Sequence, residues 1–285
     1  MSVESSLEGW IEDLAPRTSL TKSHKRVVDV LVSNLQLASY ADIPEIADRA
    51  MVNGSTVVRC AQALGFKGWP DLQQELRARF LASLSSEETL TVHSGGTESF
   101  VHDSMRRDID NLRRAQDTVD AQVVNKAVQR LSAAGKILTV GMGSLAAPAT
   151  LFAHLASTMG YSATFEGRGG VHAATAVAGL GPGDVLLLCN VWRQHRSSVE
   201  VVEAAANAGV TVVLITDIRK GRLKALSDYV IVVPSEGLSF FQSVTAATSV
   251  IYGLLAGMQH ADPERTGAAI RRVQQLWQEL GSYVD

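Results

Sequence analysis

The sequence has few cysteines and no long apolar run, and both absences narrow the class of protein. Only two of its 285 residues are cysteines, Cys60 and Cys189, and they lie far apart in apolar stretches. We predict that both are reduced core residues without a disulfide or metal role. No stretch approaches the roughly 18 uninterrupted apolar residues of a membrane span. The polar, acidic start "MSVESSLEGW" lacks the features of a signal peptide, so we expect a cytoplasmic protein without a membrane partner.

An excess of basic charge is also missing. The net charge is −3, so the molecule as a whole is not built to attract a polyanion. Residues 17–80 nevertheless contain nine Lys or Arg against six Asp or Glu, which favours an N-terminal region that faces phosphates. With 46% apolar and 19% charged residues, a chain of this length suits two globular domains.

Residues 1–80 show helical periodicity. The stretch "LTKSHKRVVDVLVSNL" places apolar residues from Leu20 to Leu35 on one stripe. Asp42 and Asn53 are N-cap candidates for two short helices, and Gly65 is a helix stop. A fourth helix is predicted in "WPDLQQELRARF". We therefore predict an all-α N-terminal domain over residues 1–80.

The two short helices joined by "MVNG" have the spacing of a helix-turn-helix. The second helix would lie in a major groove with its first turns against base edges, and its N-terminus favours a phosphate. The alternative is an ordinary helical bundle whose polar face is solvated. The predicted DNA contacts are Asn53, Ser55, Thr56 and Arg59 at the start of the second helix, and Lys22, Lys25 and Lys67 towards backbone phosphates.

Beyond residue 80 the pattern changes twice. Residues 81–98 gather Ser, Thr and Gly and form the predicted linker. Residues 99–285 form the predicted second domain, which begins with helices near 99–117 and 120–133 and ends with helices near 241–260 and 263–280. Between them, the short apolar runs "KILTV", "SATFE", "DVLLLC", "VTVVLIT" and "YVIVV" mostly alternate with helical segments. This alternation predicts an α/β fold with a parallel sheet covered by helices on both faces.

A Gly-X-Gly-Ser turn follows the first predicted strand in "KILTVGMGSLAAPA". Gly141 and Gly143 would let the backbone approach a ligand, and the helix that starts near Ser144 would attract an anion. The third glycine of a dinucleotide fingerprint is missing, and Glu166 is the only candidate for a ribose contact. We therefore expect no NAD and no other cofactor.

Several of these segments resemble a known family. The stretch "STVVRCAQALGFKGWPDL" is similar to the N-terminal helix-turn-helix of the RpiR/MurR bacterial transcriptional regulators. Residues of about 120–260, including "EVVEAAANAGVTVVLITD", resemble the SIS (sugar isomerase) domain that follows it. The resemblance implies a five-stranded parallel sheet between helices, a phosphosugar site at the carboxyl ends of the strands, and a dimer or tetramer. Met51 stands where the family often has Gly, and a positive φ there would be strained.

The resemblance places the phosphate loop of the SIS domain in "RQHRSS". Members that bind phosphosugars have a Ser/Thr-rich loop there, whereas this sequence has Arg193, His195 and Arg196, and Ser198 alone keeps a hydroxyl at the Thr position. Guanidinium groups bind phosphate or carboxylate in a bidentate way, so an anionic effector is predicted. The predicted effector site comprises Gly141, Gly143, Ser144, His172, Arg193, His195, Arg196, Ser197 and Ser198.

Alternatives stay open for these residues. Arg193 and Arg196 could instead pair with acidic residues across a subunit interface, and His172 could be a structural residue. Arg168 is a further, weaker candidate as an anion ligand.

Three classes of function compete. A DNA-binding transcriptional regulator uses both domains, because a phosphosugar, another sugar derivative or a carboxylate would modulate operator binding. An aldose–ketose isomerase of the SIS type needs a well-spaced pair of proton-transfer groups, and the strand ends offer none. A phosphosugar-binding module that acts through protein partners alone would leave the helix-turn-helix unused. We predict the regulator, which is not an enzyme, and its partners are double-stranded operator DNA, the small anionic effector and further copies of itself in a homodimer or homotetramer.

Overall fold

The computed structural model describes residues 7–14, 19–85, 87–88, 99–219 and 221–282. The chain divides into two compact units, Met1–Val92 and His93–Asp285. Most of the predicted linker and the first six residues lie outside the described residues. Within the described part of the chain, no helix combines the length and the apolar character needed to cross a membrane.

The first unit is helical where it is described. Its caps form as predicted, because Asp42 Oδ1 accepts from Glu45 N at 2.9 Å and Asn53 Oδ1 accepts from Thr56 N at 3.1 Å. Val27, Ile46 and Val57 belong to one fully buried core that joins the helices. The helices are α1 (Leu7–Leu14), α2 (Lys22–Ser33), α3 (Leu35–Tyr40), α4 (Ile43–Arg49), α5 (Gly54–Ala63) and α6 (Trp69–Ser83).

The apolar stripe from Leu20 to Leu35 does not belong to one continuous helix. Helix α2 ends at Ser33, and Asn34 leaves the helical region with φ −149° and ψ 88°. Its side-chain oxygen then accepts from Leu37 N at 2.8 Å and so caps α3. Asn34 therefore ends one helix and caps the next, although the apolar spacing continues across the break.

The second unit contains the predicted five-stranded parallel sheet, in the order β2-β1-β3-β4-β5. In-register pairs such as Gly141 with Cys189 and Asn190 with Thr216 bring the carboxyl ends of the strands to one edge. Every residue of the central strand β3 is buried, as its continuous apolar run predicts. The strands are β1 (Ile137–Gly141), β2 (Ala163–Glu166), β3 (Val185–Asn190), β4 (Thr211–Thr216) and β5 (Tyr229–Val232).

Helices cover both faces of the sheet, and each face has its own buried core. Leu187 and Ile215 pack with Phe152 and Ile251 on one face, whereas Leu188 packs on the other. The helix predicted from about 241 begins at Thr245, and residues 233–244 form an irregular segment. The helices are α7 (Phe100–Thr118), α8 (Ala121–Ala133), a 3₁₀ turn (Gly143–Leu145), α9 (Ala146–Thr158), α10 (Gly170–Ala178), α11 (Arg196–Asn207), α12 (Arg222–Ala225), α13 (Thr245–Ala261) and α14 (Pro263–Glu279).

The two cysteines lie in the separate cores, as predicted. Cys60 belongs to the first unit and Cys189 to strand β3 of the second, and both are free thiols. Burial raises the pKa of each thiol to about 12, because the thiolate would lose its hydration. Both side chains are therefore protonated, unreactive core residues at neutral pH.

Candidate functional sites

The turn between α4 and α5 has the geometry that was expected to strain Met51. Met51 has a φ of 51°, in the left-handed region, and its side chain is 75% exposed. A methionine in this conformation carries a cost that glycine would avoid. The side chain lies in solvent, so burial does not offset that cost.

The first turn of α5 uses most of its polar groups internally. Asn53 Oδ1 accepts from Thr56 N, from Thr56 Oγ1 at 2.7 Å and from Ser55 Oγ at 2.9 Å. Thr56 is only 8% exposed. Its burial and its bond to Asn53 argue against a direct base contact by Thr56, whose role is to support the start of the helix.

Arg59 and Ser55 are exposed polar residues in the first half of α5. Arg59 Nη2 donates to Ser55 Oγ at 3.2 Å and to Thr56 Oγ1 at 3.4 Å, which holds the guanidinium beside the first turn. These partners are neutral hydroxyls, so the positive charge of Arg59 is not cancelled by them. An exposed guanidinium at a helix start is suited to a base edge or a phosphate.

The predicted lysines lie on turns next to this helix. Cys60 Sγ donates to the carbonyl of His24 at 3.6 Å, which places the first turn of α2 against α5. Lys22 is exposed and Lys25 is half-buried on that turn. Lys67 is exposed, and its backbone N–H donates to Asp71 Oδ2 at 2.9 Å, which fixes the turn before α6.

At the carboxyl edge of the sheet, three turns meet. A side chain built on Gly169 would lie 3.5 Å from Met142 Cε and 4.0 Å from Ser197 Cβ. The turn after β1, the loop after β2 and the first turn of α11 are therefore in contact. The structure thus brings the predicted residues Gly143, Ser144 and Ser197 towards one place, with the loop that carries Arg168.

The glycines after β1 have different roles. A Cβ on Gly141 would overlap the carbonyl oxygen of Leu145, so the fold itself requires glycine there. Gly143 has a φ of 59° with open space around it, and Ser144 beside it is exposed. Gly143 and Ser144 therefore leave room for a ligand, whereas Gly141 is explained by close packing.

Arg168 is held over this edge by a buried carboxylate. Glu166 accepts from the Arg168 side chain at 2.8 Å and from its backbone N–H at 2.6 Å. The Arg168 side chain lowers the pKa of Glu166 against the opposing effect of burial. Glu166 is thus ionised at neutral pH, and it both positions Arg168 and offsets part of its charge.

The loop after β3 has an unusual conformation that Asp217 stabilises. Trp192 has a φ of 69°, and its backbone N–H donates to both carboxylate oxygens of Asp217 at 2.9 Å. Ser235 Oγ donates to Asp217 Oδ2 at 2.6 Å. The guanidinium carbon of Arg193 lies 4.7 Å from the centroid of a Trp192 ring, and Phe240 packs edge-on against Trp192 at 5.6 Å.

The start of α11 has the features of an anion site. His195 is in the N-cap position and makes no side-chain capping bond, so the partial positive charge of the helix N-terminus is not offset by a capping side chain. Arg196 is 93% exposed, and its described ion pair is with Glu200 on its own helix at 2.8 Å. Such an exposed pair contributes little to stability and leaves Arg196 able to reach a ligand.

Two predicted effector residues differ in their exposure. Ser198 is 1% exposed, so its hydroxyl is enclosed by protein in this conformation and direct contact with a ligand is disfavoured. His172 is exposed in the first turn of α10, on the loop side of the same edge.

Sequence reasoning missed the roles of Asp217 and Ser235. Asp217 directly follows the strand β4, and spacing alone predicted no binding role for it. A carboxylate one residue past a buried strand is a signal for a residue at the ligand edge. Its actual partner, the backbone of Trp192, depends on the loop conformation and could not be inferred from spacing.

The comparisons with known proteins agree with both units. Residues 14–83 match the family model of the helix-turn-helix domain, rpiR family, and residues 130–256 match that of the SIS domain. The HTH-type transcriptional regulator HexR of Pseudomonas aeruginosa is 27% identical over 213 residues, which cover 74% of each chain.

Two solved structures have a fold similar to that of this chain. The sugar isomerase domain of an RpiR transcription factor from Sphaerobacter thermophilus is 28% identical, with a TM-score of 0.59 over 61% of this chain and 98% of that one. The Vibrio vulnificus NanR protein, solved with ManNAc-6P, is 20% identical, with a TM-score of 0.60 over 95% of this chain and 98% of that one.

A helix-turn-helix domain followed by an open parallel α/β domain defines a DNA-binding regulator with a SIS domain. The chain belongs to the RpiR family of transcriptional regulators, as the sequence resemblance predicted.

Proposed function

We propose that this protein controls transcription by coupling two binding events. Helix α5 binds operator DNA, and the carboxyl edge of the sheet binds a small anionic metabolite that changes operator affinity. The observation that carries the proposal is the meeting of three turns beside the start of α11, where Arg193 and Arg196 flank a helix N-terminus without a side-chain cap.

The DNA-binding surface is proposed from exposure and charge. Arg59 and Ser55 on α5, with Asn53 at its cap, face solvent and suit base edges or phosphates. Lys22, Lys25 and Lys67 supply charge for the backbone phosphates. Thr56 acts through the shape of the helix start.

The effector is proposed to be a phosphosugar or another sugar derivative, with a carboxylate as the alternative. Both classes present an anion that a guanidinium can bind through two hydrogen bonds. The relative HexR is named as a transcriptional regulator, and NanR was solved with a phosphorylated sugar derivative. The arginine-containing loop "RQHRSS" widens the choice beyond phosphosugars, since hydroxyl-rich loops are what the phosphosugar-binding members carry.

Enzymatic isomerisation is not part of the proposal. The carboxylates at the carboxyl edge already accept hydrogen bonds within the protein: Glu166 from Arg168, Asp217 from Trp192 and Ser235, and Glu236 from Arg107. A proton-transfer group must be free to reach the substrate. The hydrogen bonds that these carboxylates accept within the protein therefore favour a binding role over catalysis.

A homodimer or homotetramer is proposed for the working form. Helix α7 presents large apolar side chains to solvent at i, i+4 spacing, namely Val101, Met105 and Ile109. A stripe of this kind on an otherwise polar helix is typical of a surface that is covered in an assembly. The domain boundaries proposed are 1–80 for DNA binding, 81–98 for the linker and 99–285 for effector binding and oligomerisation.

A thermal-shift screen of the purified full chain tests the effector proposal. Sugar phosphates, other sugar derivatives and carboxylates are compared with matched neutral sugars, because a ligand of the native state raises its stability by mass action. We expect an anion to raise the melting temperature of wild-type protein and to have no effect on the Arg193→Ala, Arg196→Ala double variant. Equal shifts in both proteins would place the effector elsewhere, and dissociation of the variant into monomers would favour the interface alternative.

A further inference from the structure

The segment between β5 and α13, residues 233–244, contacts both α7 and the loop after β3, residues 191–196, which we call the effector loop. We call residues 233–244 the bridging segment. Its backbone is closed at the base, because Ser243 N donates to Ser235 O at 2.8 Å. A Cβ on Gly237 would overlap the carbonyl oxygen of Phe241, so the segment is also tightly folded. A closed, compact segment transmits a displacement at one end to the other end.

On one side, the bridging segment holds the effector loop. Ser235 donates to Asp217, and Asp217 accepts the backbone N–H of Trp192. Phe240 packs edge-on against the Trp192 indole at 5.6 Å. Arg193, the next residue, is proposed to bind the effector, so a ligand that moves Arg193 acts on Trp192 through the adjoining peptide.

On the other side, the bridging segment is attached to α7. Glu236 is 3% exposed, and it accepts from Arg107 Nη1 at 2.8 Å and pairs with Arg114 at 3.5 Å. Its backbone carbonyl accepts from the buried Asn111 at 2.8 Å.

A second attachment lies on the same helix, at the residue that follows Arg107. Asp108 accepts from Ser243 Oγ at 2.5 Å and from Thr245 Oγ1 at 2.7 Å. Helix α7 is therefore connected to both ends of the bridging segment. It is also the first helix that the structure describes after the N-terminal unit along the chain.

Buried ion pairs are sensitive positions for such a connection. A displacement that separates the buried Glu236 carboxylate from both Arg107 and Arg114 leaves its charge without compensation, and this is costly. The attachment therefore favours a small number of discrete arrangements over a continuous range. Two states that differ in the position of α7 could then be biased from either side.

We infer that Glu236 is the coupling residue of this regulator: the bridging segment transmits occupancy of the effector loop to α7, and through α7 to the DNA-binding unit. The inference rests on the proposed function, since it concerns how the two binding events are connected. It does not require the identity of the effector, because coupling is reciprocal: operator binding must change effector affinity by the same factor as the effector changes operator affinity. We expect that change to be visible in the effector loop.

The test uses hydrogen exchange of the full chain with and without DNA. The probe is a duplex selected from a random pool by binding to the wild-type protein. The readout is the exchange rate of the peptide that spans residues 191–199, in which the Trp192 amide is hydrogen-bonded to Asp217. In wild-type protein we expect the duplex to change this rate by about fivefold or more. In Glu236→Gln we expect the change to disappear while duplex affinity is retained.

Asp110→Asn is the matched control. Asp110 is an exposed carboxylate on the same helix, and its described ion pair is with Arg113 rather than with the bridging segment. This variant should respond as the wild type does. Asp108→Asn is measured in parallel, so that a failure of Glu236→Gln to fold still leaves an attachment that can be tested.

The outcomes separate the inference from the function on which it rests. If the wild type selects no duplex, the proposed function fails and the inference fails with it. If the wild type binds a duplex but residues 191–199 do not respond, or if Glu236→Gln and Asp108→Asn respond as fully as the wild type, then the bridging segment is not the connection and DNA binding stands.

Discussion

Two turns, one in each unit, hold a non-glycine residue at positive φ, and different forces hold them. Met51, at φ 51°, lies between the two helices of the helix-turn-helix with its side chain in solvent. Trp192, at φ 69°, lies in the effector loop, and a carboxylate, an aromatic ring and a guanidinium all contact it. Backbone hydrogen bonds close the turn at Met51, whereas side chains of other segments hold the turn at Trp192.

The difference between the two turns indicates which strained backbone belongs to a binding site. A bulky residue at positive φ persists only when its surroundings compensate for the cost, and such residues cluster at functional sites. At Met51, backbone hydrogen bonds hold the turn, because Met51 N donates to Asp48 O at 3.1 Å and Val52 N donates to Ala47 O at 2.9 Å. At Trp192, Asp217 binds the backbone directly, and the adjoining Arg193 is a proposed effector ligand. A preorganised loop of this kind spends less free energy when it binds its ligand.

The largest effect is expected from removing both arginines of the effector loop. Arg193→Ala with Arg196→Ala should weaken effector binding by at least about a hundredfold, because each guanidinium supplies a charge-assisted hydrogen bond of about 1.5–3 kcal/mol. Titration of the ligand found in the thermal-shift screen measures this. Arg222→Ala, which breaks another exposed pair with Glu203 in the same unit, is the control and should bind normally. A loss of less than about threefold in the double variant would contradict the assignment.

The support of Trp192 should be the next most sensitive feature. Asp217→Asn turns one acceptor of the Trp192 N–H into a donor, and we expect the second unit to lose about 1–3 kcal/mol of unfolding free energy. Urea unfolding followed by tryptophan fluorescence measures the loss. The exposed Asp110→Asn should change stability by no more than about 0.5 kcal/mol. Similar values for the two variants would mean that Asp217 does not hold the loop.

On the DNA side, Arg59→Ala should weaken operator binding by about 1–3 kcal/mol and relax sequence preference at one position. Lys67→Ala provides the contrast, because a phosphate contact weakens all duplexes alike and lowers the salt slope by about 1. Gel-shift titrations at several salt concentrations separate the two behaviours. Unchanged affinity for Arg59→Ala at fixed salt would exclude α5 as the recognition helix.

The smallest effect is expected at Met51. Met51→Gly relieves a left-handed conformation that costs about 1–2 kcal/mol. The greater flexibility of glycine in the unfolded chain cancels about 0.5–1 kcal/mol of this stabilisation. The first unit should therefore become more stable by about 0.5–1 kcal/mol in thermal unfolding. Trp192→Gly should destabilise the second unit despite the same relief, because the contacts with Phe240 and Arg193 are lost. Stabilisation by both substitutions would remove the distinction between the two turns.

Much of the fold could be predicted from the sequence, because its signals are local. Continuous apolar runs identified all the strands of the sheet, and Asp42 and Asn53 were recognisable caps since their side chains bond three residues along the chain. The break at Asn34 was missed, because the apolar spacing continues on both sides and only the cap geometry ends α2.

The site was less predictable, because its contacts join residues that are distant in sequence. The turn at Gly143, the loop at Gly169 and the start of α11 meet through the parallel sheet, which explains why their residues could be proposed together. The burial of Thr56 and Ser198, and the bonds of Asp217 and Glu236, depend on side-chain packing that no spacing encodes.

The central claim is that an anion bound at the effector loop changes operator affinity, and one measurement addresses it directly. The dissociation constant of the full chain for its selected duplex is determined with and without the ligand from the thermal-shift screen, for wild-type protein and for the Arg193→Ala, Arg196→Ala variant. The account predicts a change of about 5- to 150-fold in the wild type and none in the variant, with equal affinities in the absence of ligand. An equal response in both proteins, or no response in the wild type, would contradict it.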